Sequence, residues 1–176
     1  RLDKLNEECG VFGIYDRDNL DSARLAYYAL YALQHRGQES AGIAVNNDGK
    51  FSYHKDMGLV PEIFNEDVIN SLKGSIAIGH VRYSTTGASL RENAQPMVIK
   101  YKNGNMALAH NGNLVNAAIV RERLEEEGVI FQSSNDSEVI LNLISRCRLT
   151  SSGIEEAIEK MMGEIKGSYA LVILTP

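Results

Sequence analysis

Gly42-Ile43-Ala44-Val45-Asn46-Asn47-Asp48-Gly49-Lys50-Phe51-Ser52-Tyr53-His54 holds two short apolar runs on either side of a polar, glycine-ended tetrapeptide. Asp-Gly is the strongest short-range hairpin signal, because both residues tolerate the left-handed backbone of a two-residue turn. Residues 42–45 and 51–54 are therefore expected to pair as antiparallel strands. The pattern recurs downstream, where residues 97–101 and 106–110 flank Asn103-Gly104. Around these hairpins lie further strand signals: 10–15, directly after Cys9; 75–82, with the run Ile76-Ala77-Ile78; and 168–174.

Between the strands the apolar period changes to that of helices. Residues 21–35 carry Leu25, Tyr28, Ala29, Ala32 and Leu33 at helical spacing, with Asp21 placed to cap and Gly37 beyond the end. Residues 62–72 predict a short helix and 116–127 one that ends before Gly128. Residues 136–147 predict a helix with Val139, Ile140, Leu143 and Ile144 inward, and 153–165 another, with Thr150, Ser151 and Ser152 offering a cap. Hairpins make antiparallel sheet, and grouped helices must cover its faces. The expectation is an α+β protein of antiparallel sheets layered with helices rather than a doubly wound parallel fold.

Bulk composition narrows the function classes. The 176 residues suffice for one compact domain, and 44% hydrophobic with 23% charged residues is ordinary globular usage. No apolar run reaches the roughly 18 residues of a membrane span, and residues 1–8 lack the apolar stretch of a secretory signal. The formal charge of −5, without a basic block, argues against a nucleic-acid surface. Two cysteines, Cys9 and Cys147, form no disulfide framework and suit a reducing, cytoplasmic setting. The four histidines are scattered, so no metal site is assigned. The chain stops at Thr175-Pro176 directly after a strand, which points to a larger parent cut at a domain boundary.

Four places carry candidate chemistry, each with a plainer alternative. Cys9 is either a small buried hydrophobe or a nucleophile. If residues 1–8 are a leader that is removed, the α-amine of Cys9, with a reference pKa of about 8, stands beside its own thiol as general base. Asn111 and Gly112, in His110-Asn111-Gly112-Asn113, are either a turn or two donors for an oxyanion. Arg82 is either a surface ion pair or a bidentate clamp on a carboxylate, and the Ser/Thr/Gly loop after it could close over a ligand. Asp136 is either part of a good helix N-terminus or the partner of a substrate ammonium. Together they supply a nucleophile, a base, an oxyanion hole and holders for both ends of an α-amino acid.

These residues stand in segments that resemble class II glutamine amidotransferases, the N-terminal-nucleophile kind. The segments are Glu8-Cys9-Gly10-Val11-Phe12-Gly13-Ile14, Leu33-Gln34-His35-Arg36-Gly37-Gln38-Glu39-Ser40-Ala41-Gly42-Ile43-Ala44, residues 79–87, Asn93-Ala94-Gln95-Pro96, residues 108–114 and Asp136-Ser137-Glu138. The wording of 35–44 and 82–87 is closest to the amidophosphoribosyltransferase branch; glucosamine-phosphate synthases and asparagine synthetases resemble it less. The resemblance covers nearly all of residues 9–176. It implies a four-layer α/β/β/α sandwich, the N-terminal-nucleophile hydrolase fold, in residues 9–176 behind a leader at 1–8. It implies Cys9 as nucleophile, Asn111 and Gly112 as oxyanion hole, Arg36 as a positioner of Cys9, and Arg82 and Asp136 as holders of glutamine. Tyr83 and Thr85 would lie on a loop closing over that substrate.

In that family ammonia passes to a phosphoribosyltransferase domain, absent here, and reacts with phosphoribosyl pyrophosphate to give phosphoribosylamine in purine synthesis. No cofactor is implied for this domain; magnesium and an iron–sulfur cluster would belong to the absent one. Partners are glutamine, and phosphoribosyl pyrophosphate through the absent domain, with a homo-oligomeric parent and neither nucleic acid nor membrane. Two rival readings remain at this point: the glutaminase domain of another class II amidotransferase, and an unprocessed, non-catalytic glutamine-binding module. A regulatory interaction domain is disfavoured, since no exposed apolar stripe suggests one.

Overall fold

A computed structural model describes residues 9–83 and 90–176 of the chain. Its elements run β1 (Gly10–Tyr15), α1 (Ser22–Leu33), β2 (Ser40–Asn47), β3 (Lys50–Met57), α2 (Val60–Ile63), α3 (Glu66–Ser71), β4 (Ile76–Arg82), β5 (Met97–Tyr101), β6 (Gly104–Leu114), α4 (Ala117–Glu126), α5 (Asp136–Arg148), α6 (Ile154–Glu164) and β7 (Gly167–Leu174). Short 3-10 turns cover Gln34–Arg36 and Arg91–Asn93.

The strands form two antiparallel sheets, ordered β1-β4-β2-β3 and β5-β6-β7. The first hairpin closes as its turn chemistry predicts, with Asn47 opposite Lys50 and both Asp48 (φ 51°) and Gly49 (φ 82°) in the left-handed region. Alternation along each strand then sorts side chains into three separate cores. Ile43, Val45, Ala77 and Val81 face one way and bury Ala23, Ala26 and Leu30 of α1. Met106 and Leu108 face α5 and α6, meeting Ile140, Leu141, Ile144 and Met161. Ala44, Ile78, Ala107, Ala109 and Leu174 lie between the two sheets. Helix, sheet, sheet and helix are thus four layers, as the resemblance implies.

Ala44, Ala107 and Ala109 keep parts of the middle layer thin, and there the sheets approach closely. A Cβ on Gly13 of β1 would stand 2.9 Å from Cγ1 of Val172 in β7. This close contact lets polar groups of one sheet reach the backbone of the other.

Three local expectations change. The helix expected at 62–72 is two, because the Asn65 side chain accepts the Val68 N–H at 2.9 Å and starts a new N-terminus. In α1 the buried residues are Ser22, Ala23, Ala26 and Leu30, whereas Leu25 and Tyr28 are exposed; close packing on β4 selects small residues. Strand β6 does not end at His110. It runs on to Leu114, so the Asn111-Gly112 pair lies inside a strand and is not a turn.

Candidate active site

Cys9 immediately precedes β1, whose first rung pairs Gly10 with Val81. Arg82, the last residue of β4, therefore stands beside Cys9 at the same end of that sheet, with Ser40 opposite it on β2. Cys9 has φ +64°, a left-handed conformation that is uncommon for a residue with a side chain and clusters at functional positions. Two hydrogen bonds to Arg36 hold it there. The Cys9 backbone nitrogen donates to the Arg36 carbonyl at 3.1 Å, and Arg36 Nε donates to the Cys9 carbonyl at 2.9 Å. Cys9 Sγ lies 3.9 Å from the carbonyl of Tyr83, whose ring is exposed. Arg36, expected to position Cys9, is thus bonded to it directly. Thr85 lies outside the described residues.

Arg82 is largely buried. Its Nη1 donates to the Asn93 carbonyl at 3.3 Å, and its Nε lies 3.7 Å from Glu39 Oε2. Among the described residues the two Glu39 carboxylate oxygens accept no hydrogen bond, although neither reaches water. A guanidinium held against one loosely paired acid keeps donors available for a second carboxylate. Asn93 also ties this corner to the start of α5. Its carbonyl accepts from Asn135 Nδ2 at 2.9 Å, and its Oδ1 accepts from the Ser134 backbone N–H at 3.2 Å.

Asn135, not Asp136, caps α5, accepting the Ser137 N–H at 2.9 Å. Asp136 stands in the first turn of that helix, as its place in the sequence suggested. Its Oδ2 accepts the Leu114 backbone N–H at 3.2 Å.

The flank of β6 explains why these groups converge. Backbone N–H groups alternate sides along a strand. Val115 N–H points toward β7, bonding the Lys166 carbonyl at 2.8 Å. His110 and Leu114 point theirs the other way, to Gln95 Oε1 at 2.7 Å and to Asp136 Oδ2. Gly112 lies between them, so its N–H faces the same flank, beyond the point where β5 stops at Met97. Gly112 has φ +141°, and a Cβ there would stand 2.2 Å from the Ser168 carbonyl oxygen, so glycine is required.

Two buried histidines join the sheets behind this site. His80 of β4 lies 3.0 Å through Nε2 from the carbonyl of His110 in β6. An accepting carbonyl fixes that nitrogen as the protonated one. Burial pushes the His80 pKa down to about 3, and burial also lowers that of His110. Both rings are held neutral near pH 7. The residues that the sequence left without a role here are Glu39, His80, Asn93 and Gln95. All four lie in or beside segments that carry the family resemblance, and that was the available signal.

Among the described residues no cluster of three or more His, Cys, Asp or Glu side chains could hold a metal ion. No described helix is long and apolar enough to cross a membrane. A separate cleft of about 450 Å³ lies between β5 and α5, beside Lys55 and Glu138, and none of the described candidate residues lines it.

Comparison with known proteins agrees with this geometry. The sequence profile of the glutamine amidotransferase domain matches residues 80–176. The chain is 49% identical to the amidophosphoribosyltransferase of Methanocaldococcus jannaschii, over 94% of this chain and 35% of that protein. It superposes with TM-score 0.85 on the solved allosteric regulatory enzyme of purine biosynthesis, at 43% identity. It superposes with TM-score 0.83, also at 43% identity, on the B. subtilis glutamine phosphoribosylpyrophosphate amidotransferase complexed with ADP and GMP. Each superposition covers 94% of this chain and 35% of the other, so the chain spans about a third of the length of the relatives it matches. The profile match, with a sandwich that superposes throughout on such enzymes, shows that the chain belongs to the glutamine amidotransferase domain family.

Proposed function

We propose that this chain hydrolyses glutamine to glutamate and ammonia through a γ-glutamyl thioester on Cys9. The observation that carries the reading is the open flank of β6, where the Gly112 N–H lies between the Gln95 and Asp136 contacts at the end of the sandwich that also holds Cys9 and Arg82.

With the leader removed, the Cys9 amine takes the thiol proton, and the thiolate attacks the γ-carbonyl carbon of glutamine. Negative charge moves to the carbonyl oxygen, where the Gly112 N–H and the Asn111 side-chain amide stabilise it. The intermediate collapses with cleavage of the C–N bond, and ammonia leaves with the proton held by the amine. Water then attacks the thioester, giving glutamate and restoring the thiol. Arg82 holds the α-carboxylate of glutamine and Asp136 its α-ammonium, while Arg36 keeps the Cys9 backbone in place. In the parent enzyme, the remaining two thirds would use the ammonia to convert phosphoribosyl pyrophosphate to phosphoribosylamine.

Intact-mass measurement after incubation with a glutamine-analogue electrophile tests this reading. The expected result is one adduct, located on Cys9, in protein that begins at Cys9, with no adduct and no glutaminase activity in Cys9→Ala. Substantial glutamine hydrolysis by well-folded Cys9→Ala would overturn it.

A further inference from the structure

Strand β5 pairs with β6 as far as Met97 opposite Leu108. Continuing that register by two residues sets residue 95 opposite His110. The backbone of Gln95 is elsewhere, packed on the other sheet: a Cβ on Gly42 of β2 would stand 2.1 Å from the Gln95 carbonyl oxygen. Lys55 of β3 fixes the segment on both sides, donating through Nζ to the Ala94 carbonyl at 2.7 Å and to the Pro96 carbonyl at 3.2 Å. From this anchored backbone the Gln95 side chain crosses to β6. Its Oε1 accepts the His110 N–H at 2.7 Å and its Nε2 donates to the His110 carbonyl at 3.3 Å. One side-chain amide thus makes both bonds that a backbone rung would make, and it is almost wholly buried while doing so.

We propose that Gln95 is a positioning residue for the oxyanion hole. Its carboxamide completes the ladder at His110, holds the adjoining Asn111 and Gly112 donors in line, and stops one rung short of covering the Gly112 N–H. This rests on the reading of Asn111 and Gly112 as that hole. A continued backbone strand would go on to hydrogen-bond Gly112 and close the site; a side chain ends where it is needed. The His80 imidazole reinforces the arrangement by donating to the same carbonyl from the first sheet. The peptide that leads into Asn111 is therefore held from both sheets.

Gln95→Met keeps the length of the side chain and removes both hydrogen bonds. Glutaminase kinetics of the intact enzyme are measured together with the rate of Cys9 alkylation by iodoacetamide, a displacement that forms no oxyanion. The expected result is a kcat lowered by about tenfold or more, a glutamine KM within about threefold of wild type and an unchanged alkylation rate. A wild-type kcat, or an alkylation rate that falls together with kcat, would overturn the proposal, the latter because the defect would then lie in the thiol or the fold. Asn111→Ala is measured in parallel. If it too keeps full kcat, the oxyanion-hole reading itself fails; if it loses kcat and Gln95→Met does not, the Gln95 role alone fails. Should Gln95→Met not fold, Gln95→Asn, one methylene too short to span both bonds, makes the same comparison.

Discussion

Asp136 Oδ2 accepts the backbone N–H of Leu114 at 3.2 Å, so the residue read as a partner for the substrate ammonium is fastened to the strand that carries Gly112. Asp136→Asn keeps an acceptor for that N–H and removes the charge, which separates the two roles. Losing one partner of a desolvated charge pair costs on the order of 2–5 kcal/mol, so the glutamine KM is expected to rise by about 30-fold or more with little change in melting temperature. A KM within about threefold of wild type would remove Asp136 from substrate binding. Arg82→Ala should raise KM as well, but with a lower melting temperature, because it strands the buried Glu39 carboxylate.

Asn111→Ala is expected to lower kcat by about 100- to 1000-fold with little effect on KM. Bound glutamine presents a neutral amide oxygen, and negative charge appears there during attack, so the Asn111 donor contributes mainly in the transition state. The residual rate reports the Gly112 N–H. Steady-state kinetics decide the point, and a normal kcat would take Asn111 out of the hole.

Gly112→Ala is a test of fold rather than chemistry. The new Cβ would stand 2.2 Å from the Ser168 carbonyl oxygen at a φ that side chains avoid. The strand pair must shift, and a lower melting temperature with poor soluble yield is the expected outcome. A variant as stable as wild type would show that the β6–β7 pairing at Tyr169 is misplaced.

Acid sensitivity should trace in part to His80. Its folded pKa of about 3 lies below the unfolded value near 6.5, so above pH 6.5 the ring is neutral in both states and costs nothing. As pH falls from 6.5 toward 3 the unfolded chain binds a proton that the native one refuses, and stability declines. Urea midpoints measured across that window should fall less for His80→Gln, which keeps a donor for the His110 carbonyl. Parallel curves for the two proteins would contradict this.

The hairpins and the layered class were legible because their signals are local: Asp48-Gly49 sets its own turn, and period-two runs flank it. The face of α1 was not, since apolar spacing alone does not say that the sheet beneath needs Ala23 and Ala26 rather than Leu25 and Tyr28. The Asn111-Gly112 pair looked like a turn because Asn-Gly usually is one. What makes it strand is pairing with Ala170 and Tyr169, far along the chain. The role of Gln95 was hidden for a similar reason. It depends on where β5 stops relative to β6, which is a property of two strands together and of neither sequence alone.

Among the described residues, strand β1 lies at the rim of its sheet, bonded to β4 on one side. Its six rungs, from Gly10 with Val81 to Tyr15 with Ile76, are complete without any residue ahead of them. A cut before Cys9, as the proposed mechanism requires, would leave every one of these rungs in place. Maturation and folding would then be separable events. Assembly could come first, and severing one peptide bond afterwards would turn the proposed precursor into the proposed catalyst without asking these strands to pair again.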